Sequence, residues 1–401
     1  MIHQGLKRVV LATALGGMSA LAALPIVSHA ADTLRPEIAK PLNDAQTLYR
    51  AHNYQGALGK IALAAAVPHP TPYESTMVEE MRGAAAAAAG NNAVAAQAYE
   101  TLLASGSLTA ADAQRTSAAL ASIYFQEKNY PLAIKAAQRY IKAGGNDPDM
   151  QAALIQSYYL SNDCVNVVNL LKRSVDLQAD AGHAPDESQL QLLGTCAQRT
   201  HDSTTYRKTL EKLVAYYPGQ SYWDDLFSAI RSAPDYSSTL DIDTYRLRRA
   251  TGALTSIDDY MQMTQLAILA GTGAEGKQVI EQGFRSGILG RDAEADRERR
   301  LQALATKRAT SPVDSNGVPI PPFDAAFNQV FIGQTQQGLA TMEALIAKGG
   351  LDHPDHAQLR LGEAYYVAGQ KTKAIQTFRT VKGDDGTADL ARLWVLVASR
   401  P

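Results

Sequence analysis

Leu361-Gly362-Glu363-Ala364-Tyr365-Tyr366-Val367-Ala368-Gly369-Gln370-Lys371-Thr372-Lys373-Ala374-Ile375-Gln376-Thr377-Phe378 is the stretch that decides the fold. Leu361 and Gly362 stand one helical turn before Tyr365 and Tyr366, and share a face with them. Gly369 then supplies a turn, and a second helical pattern carries Ala374 with Phe378 four residues on. This spacing suits two antiparallel helices in close contact, with small residues where they cross and large ones filling the gaps between.

The same pattern recurs toward the N-terminus. A first copy from about Ile38 has Tyr54, Ala57 and Ile61; a second from about Thr76 has Gly83, the Gly90-Asn91-Asn92 turn, Ala95 and Tyr99. A third from Gln114 carries Leu120, Ala121, Tyr124, the Lys128-Asn129-Tyr130 turn and Ala133. A fourth from Pro148 has Leu154, Tyr158, the Ser161-Asn162-Asp163 turn and Leu171. A fifth from Glu187 has Leu193, Gly194, Leu210, Leu213 and a closing Pro218. The starts are 38, 38, 34 and 39 residues apart, an irregularity that longer loops between repeats accommodate. The unit resembles the tetratricopeptide (TPR) helix-turn-helix repeat, whose usual period is about 34 residues. The resemblance covers most of residues 38–383. It implies an all-α, TPR-like α-solenoid of antiparallel helix pairs forming a right-handed superhelix.

Between Ser221 and Gly252 the small-residue signature is lost, although Trp223–Ile230 and Asp243–Arg249 still read as helices. A better copy begins near Ile257, followed by a charged helix expected over Asp292–Lys307. After it comes a loop holding Pro312, Pro319, Pro321 and Pro322. Long loops inside compact folds usually serve a function or break the fold. The expected organisation is therefore an N-terminal array over 31–290, a charged helix and Pro-rich loop over 291–322, and C-terminal repeats over 323–401. A weak copy near Pro319 and the clear one from Asp355 fill the last part. A final amphipathic helix, about Thr387–Ser399, carries Leu390, Leu393, Trp394 and Val397 on one face. It reads as the cap that a terminal repeat needs.

Residues 1–30 read differently. Lys7 and Arg8 precede the apolar run Val9–Leu24, then Pro25 and Ser28-His29-Ala30. This is the order of a secretory signal peptide cleaved after Ala30. The apolar run is short of the roughly 20 residues that span a bilayer, and no later segment is apolar enough to do so, so no membrane span is expected after cleavage. Without Lys7 and Arg8 the chain has 36 basic and 40 acidic residues, a formal charge of −4. No cationic stripe offers itself to a phosphate backbone, and nucleic acid is not an expected partner. The expected compartment is the periplasm of a Gram-negative envelope.

In the repeat register Cys164 opens a second helix and Cys196 falls late in the next first helix. Antiparallel neighbours would bring them within about 7 Å, the reach of a disulfide. An exported chain favours the bond. Closing its 33-residue loop would contribute roughly 3–4 kcal/mol on a chain-entropy account.

Chemical motifs are weak. Gly271-Thr272-Gly273-Ala274-Glu275-Gly276 has the dinucleotide-binding spacing, but a helix precedes it where that motif needs a strand. Asp352-His353-Pro354-Asp355-His356 could ligate a metal, yet reads better as a loop entering a helix. No metal, cofactor or catalytic residue is expected, and the chain is not read as an enzyme. The resemblance implies a ligand surface on the concave face, where the register puts Ser122, Phe125, Gln156, Tyr159, Thr195 and Arg199. Aromatic and amide side chains there suit an extended peptide or partner protein. The expected role is a periplasmic interaction scaffold in an envelope complex. The alternative is a polysaccharide-export or peptidoglycan-associated assembly factor.

Overall fold

A computed structural model describes residues 33–291, 293, 295–314 and 317–400. The expected signal peptide and its cleavage site lie outside the described residues, as do Asp292 and Glu294 of the expected charged helix. Among the described residues there are twenty α-helices, no strand and one isolated bridge between Val313 and Pro319. They fall into two compact units divided between Ala181 and Gly182.

The first unit is four helix pairs: α1 (Pro36–Arg50) with α2 (Tyr54–Ala65), α3 (Pro72–Ala88) with α4 (Asn92–Ser105), α5 (Ala110–Gln126) with α6 (Tyr130–Lys142), and α7 (Pro148–Leu160) with α8 (Cys164–Asp180). α3 and α5 begin four residues before the pattern suggested, because Thr71 and Thr109 cap them; Thr71 forms a reciprocal capping box with Glu74. Each turn inside a pair has one construction. His52, Gly90, Lys128 and Asn162 take left-handed φ angles of 58°, 73°, 60° and 65°. The next residue, Asn53, Asn91, Asn129 or Asp163, returns its N–H to the carbonyl five residues back. That closes the first helix in a Schellman motif. The same residue's side chain then accepts an N–H three residues ahead and caps the second helix.

The second unit contains α9 (Glu187–Arg199), α10 (Ser203–Tyr216), α11 (Gln220–Arg231), α12 (Asp241–Ala250), α13 (Ile257–Leu269), α14 (Gly273–Arg285) and α15 (Ala295–Arg308). It continues with α16 (Pro322–Phe331), α17 (Thr335–Lys348), α18 (Pro354–Val367), α19 (Lys371–Phe378) and α20 (Thr387–Ala398). The left-handed residue and the N–H returned five residues back recur at His201-Asp202, Gly271-Thr272, Gly333-Gln334 and Gly369-Gln370, and among these Asp202 also caps the second helix with its side chain. Helix crossings are also as the opening pattern requires. Gly362 lies against the Phe378 ring and Gly83 against Tyr99, each with no room for a Cβ.

The segment expected as a break, 291–322, lies inside this unit. α15 packs on α13 and α14, placing Leu301 and Ala305 in their core. The loop after it is held by Arg308, which donates to the carbonyls of Val313 and Asp314, and by Ile320 N–H to Pro312 O. The last helix does more than cover an end. α20 packs on α12, α18 and α19, and three polar links tie it and the residues just after it to α10. These are Arg207 with Asp389 at 3.2 Å, Arg392 with Glu211 at 3.2 Å, and Arg400 donating to Val214 O at 2.6 Å. The second unit therefore folds back on itself, whereas the helices of the first unit contact mainly their chain neighbours.

Candidate functional site

The residues picked from the repeat register are distributed as follows. In the first unit, α5 carries Ser122 and Phe125, α7 carries Gln156 and Tyr159, and the two helices touch. All four are half-buried. Phe125 packs edge-on against Tyr130 at 5.9 Å, and the Ser122 hydroxyl donates to Ala118 O of its own helix. In the second unit, Arg199 on α9 is exposed, while Thr195 is 7% exposed and donates its hydroxyl to Gln191 O. Both cysteines, Cys164 and Cys196, are disulfide-bonded and neither is free.

The Asp352–His356 segment forms the entry to α18. His353 stacks on His356 at 4.9 Å, His356 Nε2 lies 2.6 Å from Asp385, and Asp355 accepts the Lys382 N–H. Among the described residues no three His, Cys, Asp or Glu side chains are grouped to hold a metal ion.

The strongest concentration of chemistry lies elsewhere, in the interior of the second unit. Arg246 on α12 is almost fully buried and spends its guanidinium on three acids. It pairs with Glu275 of α14 at 2.8 Å, Asp243 of its own helix at 2.7 Å and Glu363 of α18 at 3.2 Å. Its planar face also covers the Phe327 ring at 4.3 Å. Burial opposes the cation, but Glu275, Glu363 and Asp243 outweigh it and raise the Arg246 pKa. Arg360 of α18 adds a second cation to Asp243 at 3.2 Å. Burial would raise the Asp243 pKa, yet Arg360 and Arg246 hold it below the usual carboxylate range. Glu363 goes the other way: burial, then Asp243, push its pKa well above that range. Its other oxygen accepts the Trp394 indole N–H at 3.0 Å. One knot thus ties α12, α14, α18 and α20 together.

A cavity of about 280 Å³ opens beside the knot. Phe327 and Phe331 of α16 form one wall, their rings 5.5 Å apart, and Tyr366 of α18 with Trp394 of α20 form another at 4.9 Å. Arg249, Gln278 and Gln282 supply a polar side. Gln278 donates to Phe331 O, and Gln282 Oε1 accepts Arg249 Nε at 3.1 Å.

No local sequence motif marks this centre. Glu275 lies inside the glycine motif that lacks a preceding strand, and Glu363 inside the opening stretch itself. The structure buries both acids, Glu275 and Glu363, although each is only a sequence neighbour of a glycine, Gly276 or Gly362. A charge at such a position needs an internal partner.

Comparison with known proteins adds the following. The family described as tetratricopeptide repeat matches residues 80–148 and 325–389, one stretch in each unit. Two stretches of this all-α, TPR-like fold thus match the tetratricopeptide repeat. No curated protein sequence matches it. Similar solved structures include Naa15/Naa10 bound to HypK-THB, with 13% identity, 88% of this chain and 58% of that chain covered, and a TM-score of 0.32. This chain thus spans 58% of the length of that relative. The P58(IPK) TPR domain has 10% identity, coverage of 90% and 98%, and a TM-score of 0.24. Yeast Tom70 has 9% identity, coverage of 90% and 95%, and a TM-score of 0.25.

Proposed function

We propose that this chain is a non-enzymatic interaction scaffold, exported through a cleaved signal peptide, that holds a peptide or partner protein in an envelope complex. The observation that carries the scaffold reading is the tetratricopeptide repeat in each unit. Export is supported by the basic, apolar and small-residue order of residues 1–30 and by two cysteines that are both disulfide-bonded.

The proposed contact surface in the first unit is the α5 and α7 face with Ser122, Phe125, Gln156 and Tyr159. The experiment replaces Phe125 and Tyr159 together by Ala and compares partner capture from envelope extracts with thermal unfolding. A contact role predicts lost capture with a melting temperature within a few degrees of the parent. Truncating a core aromatic instead costs about 3–5 kcal/mol. A large fall in melting temperature, or capture that is unchanged, would reject this face.

A further inference from the structure

We propose that the cavity between α12, α14, α16, α18 and α20 binds a small organic acid, a carboxylate on a flat apolar body of about amino-acid size, with Arg249 taking the carboxylate. The inference does not depend on the partner-binding reading, since it concerns different residues in the other unit.

The charge pattern is the first argument. Arg246 is committed: Nε and both terminal nitrogens donate to Glu275, Asp243, Glu363 and Thr272. Arg249, one turn on, is not. Its Nε reaches Gln282, and among the described residues its two terminal nitrogens have no hydrogen-bond or ion-pair partner. Burial lowers its pKa, and Glu275 offsets that only in part, so the cation lacks a close counterion. Internal acids cannot supply one. Glu275 is held by Arg246 and the Thr272 hydroxyl, and Glu363 by Trp394, Arg246 and Asp243.

Geometry and size select the ligand class. A guanidinium with both terminal nitrogens open offers a planar fork that matches a carboxylate. Gln282 accepts from Arg249 through its oxygen, which leaves its amide nitrogen as a donor beside the fork. Glu275 also lines the cavity, which disfavours a more highly charged phosphate. The ring pairs Phe327–Phe331 and Tyr366–Trp394 give the body of the ligand apolar walls. The volume corresponds to about nine waters, room for an aryl or branched alkyl acid and too little for a folded partner.

The test uses the full chain after signal removal. Titrations with 3-phenylpropionate and 4-methylpentanoate are compared with titrations of their primary amides, by calorimetry and ligand-observed NMR. The acids should bind and the amides should bind at least roughly tenfold more weakly. Arg249→Gln should abolish this preference while Arg249→Lys keeps part of it. Val367→Trp, placed at a half-exposed position on the lining, should reduce binding of acids without altering charge. A dipeptide acid, N-acetyl-Gly-Phe, and its amide form the last arm. Binding of the dipeptide acid alone would assign the cavity to a chain end and overturn the small-molecule assignment. Equal binding of acid and amide, no binding of any acid, or an Arg249→Gln variant with parent affinity would each overturn it as well.

Discussion

A single side chain, Glu363, shows how far tertiary context departs from residue type. Its folded pKa lies well above the reference of 4.5 because it is buried beside Asp243. A raised carboxyl pKa favours the folded state fully below the unfolded pKa, and that contribution is lost as pH rises toward the folded value. Glu363→Gln keeps a carbonyl for the Trp394 indole and cannot ionise. The variant should therefore gain stability on the parent as pH is raised from 4 to 8 in urea denaturation; a constant difference would mean Glu363 is already ionised. Glu74 has the opposite sign. The Arg35 side chain and the Thr71 and Arg35 N–H groups hold it down to about 2. Its contribution is present above about 4.5 and lost as pH falls toward 2, so Glu74→Gln should flatten the acid limb of the first unit's stability profile. Arg246→Met should be the most damaging change at this scale. It leaves Glu275 buried without its cation and Asp243 with Arg360 alone, a loss of about 3–5 kcal/mol readable from the denaturation midpoint.

At the scale of the element, the turns and the crossings explain why helix pairs were legible. A left-handed residue followed by a capping side chain closes one helix and opens the next within three or four residues, and its signature is local. At the four turns where the left-handed residue is not Gly, the backbone is strained. Lys128 is one of these, with φ 60°. Lys128→Gly should stabilise the chain by up to about 1 kcal/mol, measured as a higher urea midpoint with unchanged helix content. Gly362 answers to packing instead. Phe378 fills the space where a Cβ would go and stacks on Trp394 at 5.5 Å, with both rings buried. Gly362→Ala should then destabilise by about 1–3 kcal/mol, despite the higher helix propensity of Ala. Small-to-large spacing at a crossing is therefore readable from sequence because sterics leave few alternatives. The cavity was not, because its walls come from helices as far apart as α12 and α20, and no local pattern specifies that meeting.

Over the whole chain, the two units should respond differently to loss of an end. In the first unit each helix contacts mainly its neighbours in sequence, so removing one pair leaves the remaining interfaces intact. The second unit is closed by α20, which brings Leu390, Leu393, Trp394 and Val397 into its interior and holds α12 and α18. It also supplies the indole that occupies one oxygen of Glu363. Deleting residues 387–401 strips an apolar wall from α12, α18 and α19 and leaves an acid partly unmatched in the interior. Deleting residues 31–65, which removes α1 and α2, should lower the unfolding midpoint modestly while the rest stays monomeric and helical. The C-terminal deletion, though less than half as long, should yield protein that aggregates or binds a hydrophobic dye, with the fluorescence of Trp223 and the remaining tyrosines reporting lost packing. Equal tolerance of both deletions, judged by size-exclusion chromatography and circular dichroism, would show that α20 serves only to cover an end. The severe outcome is expected because a closed set of helices shares one interior, and its last member contributes to several interfaces at once.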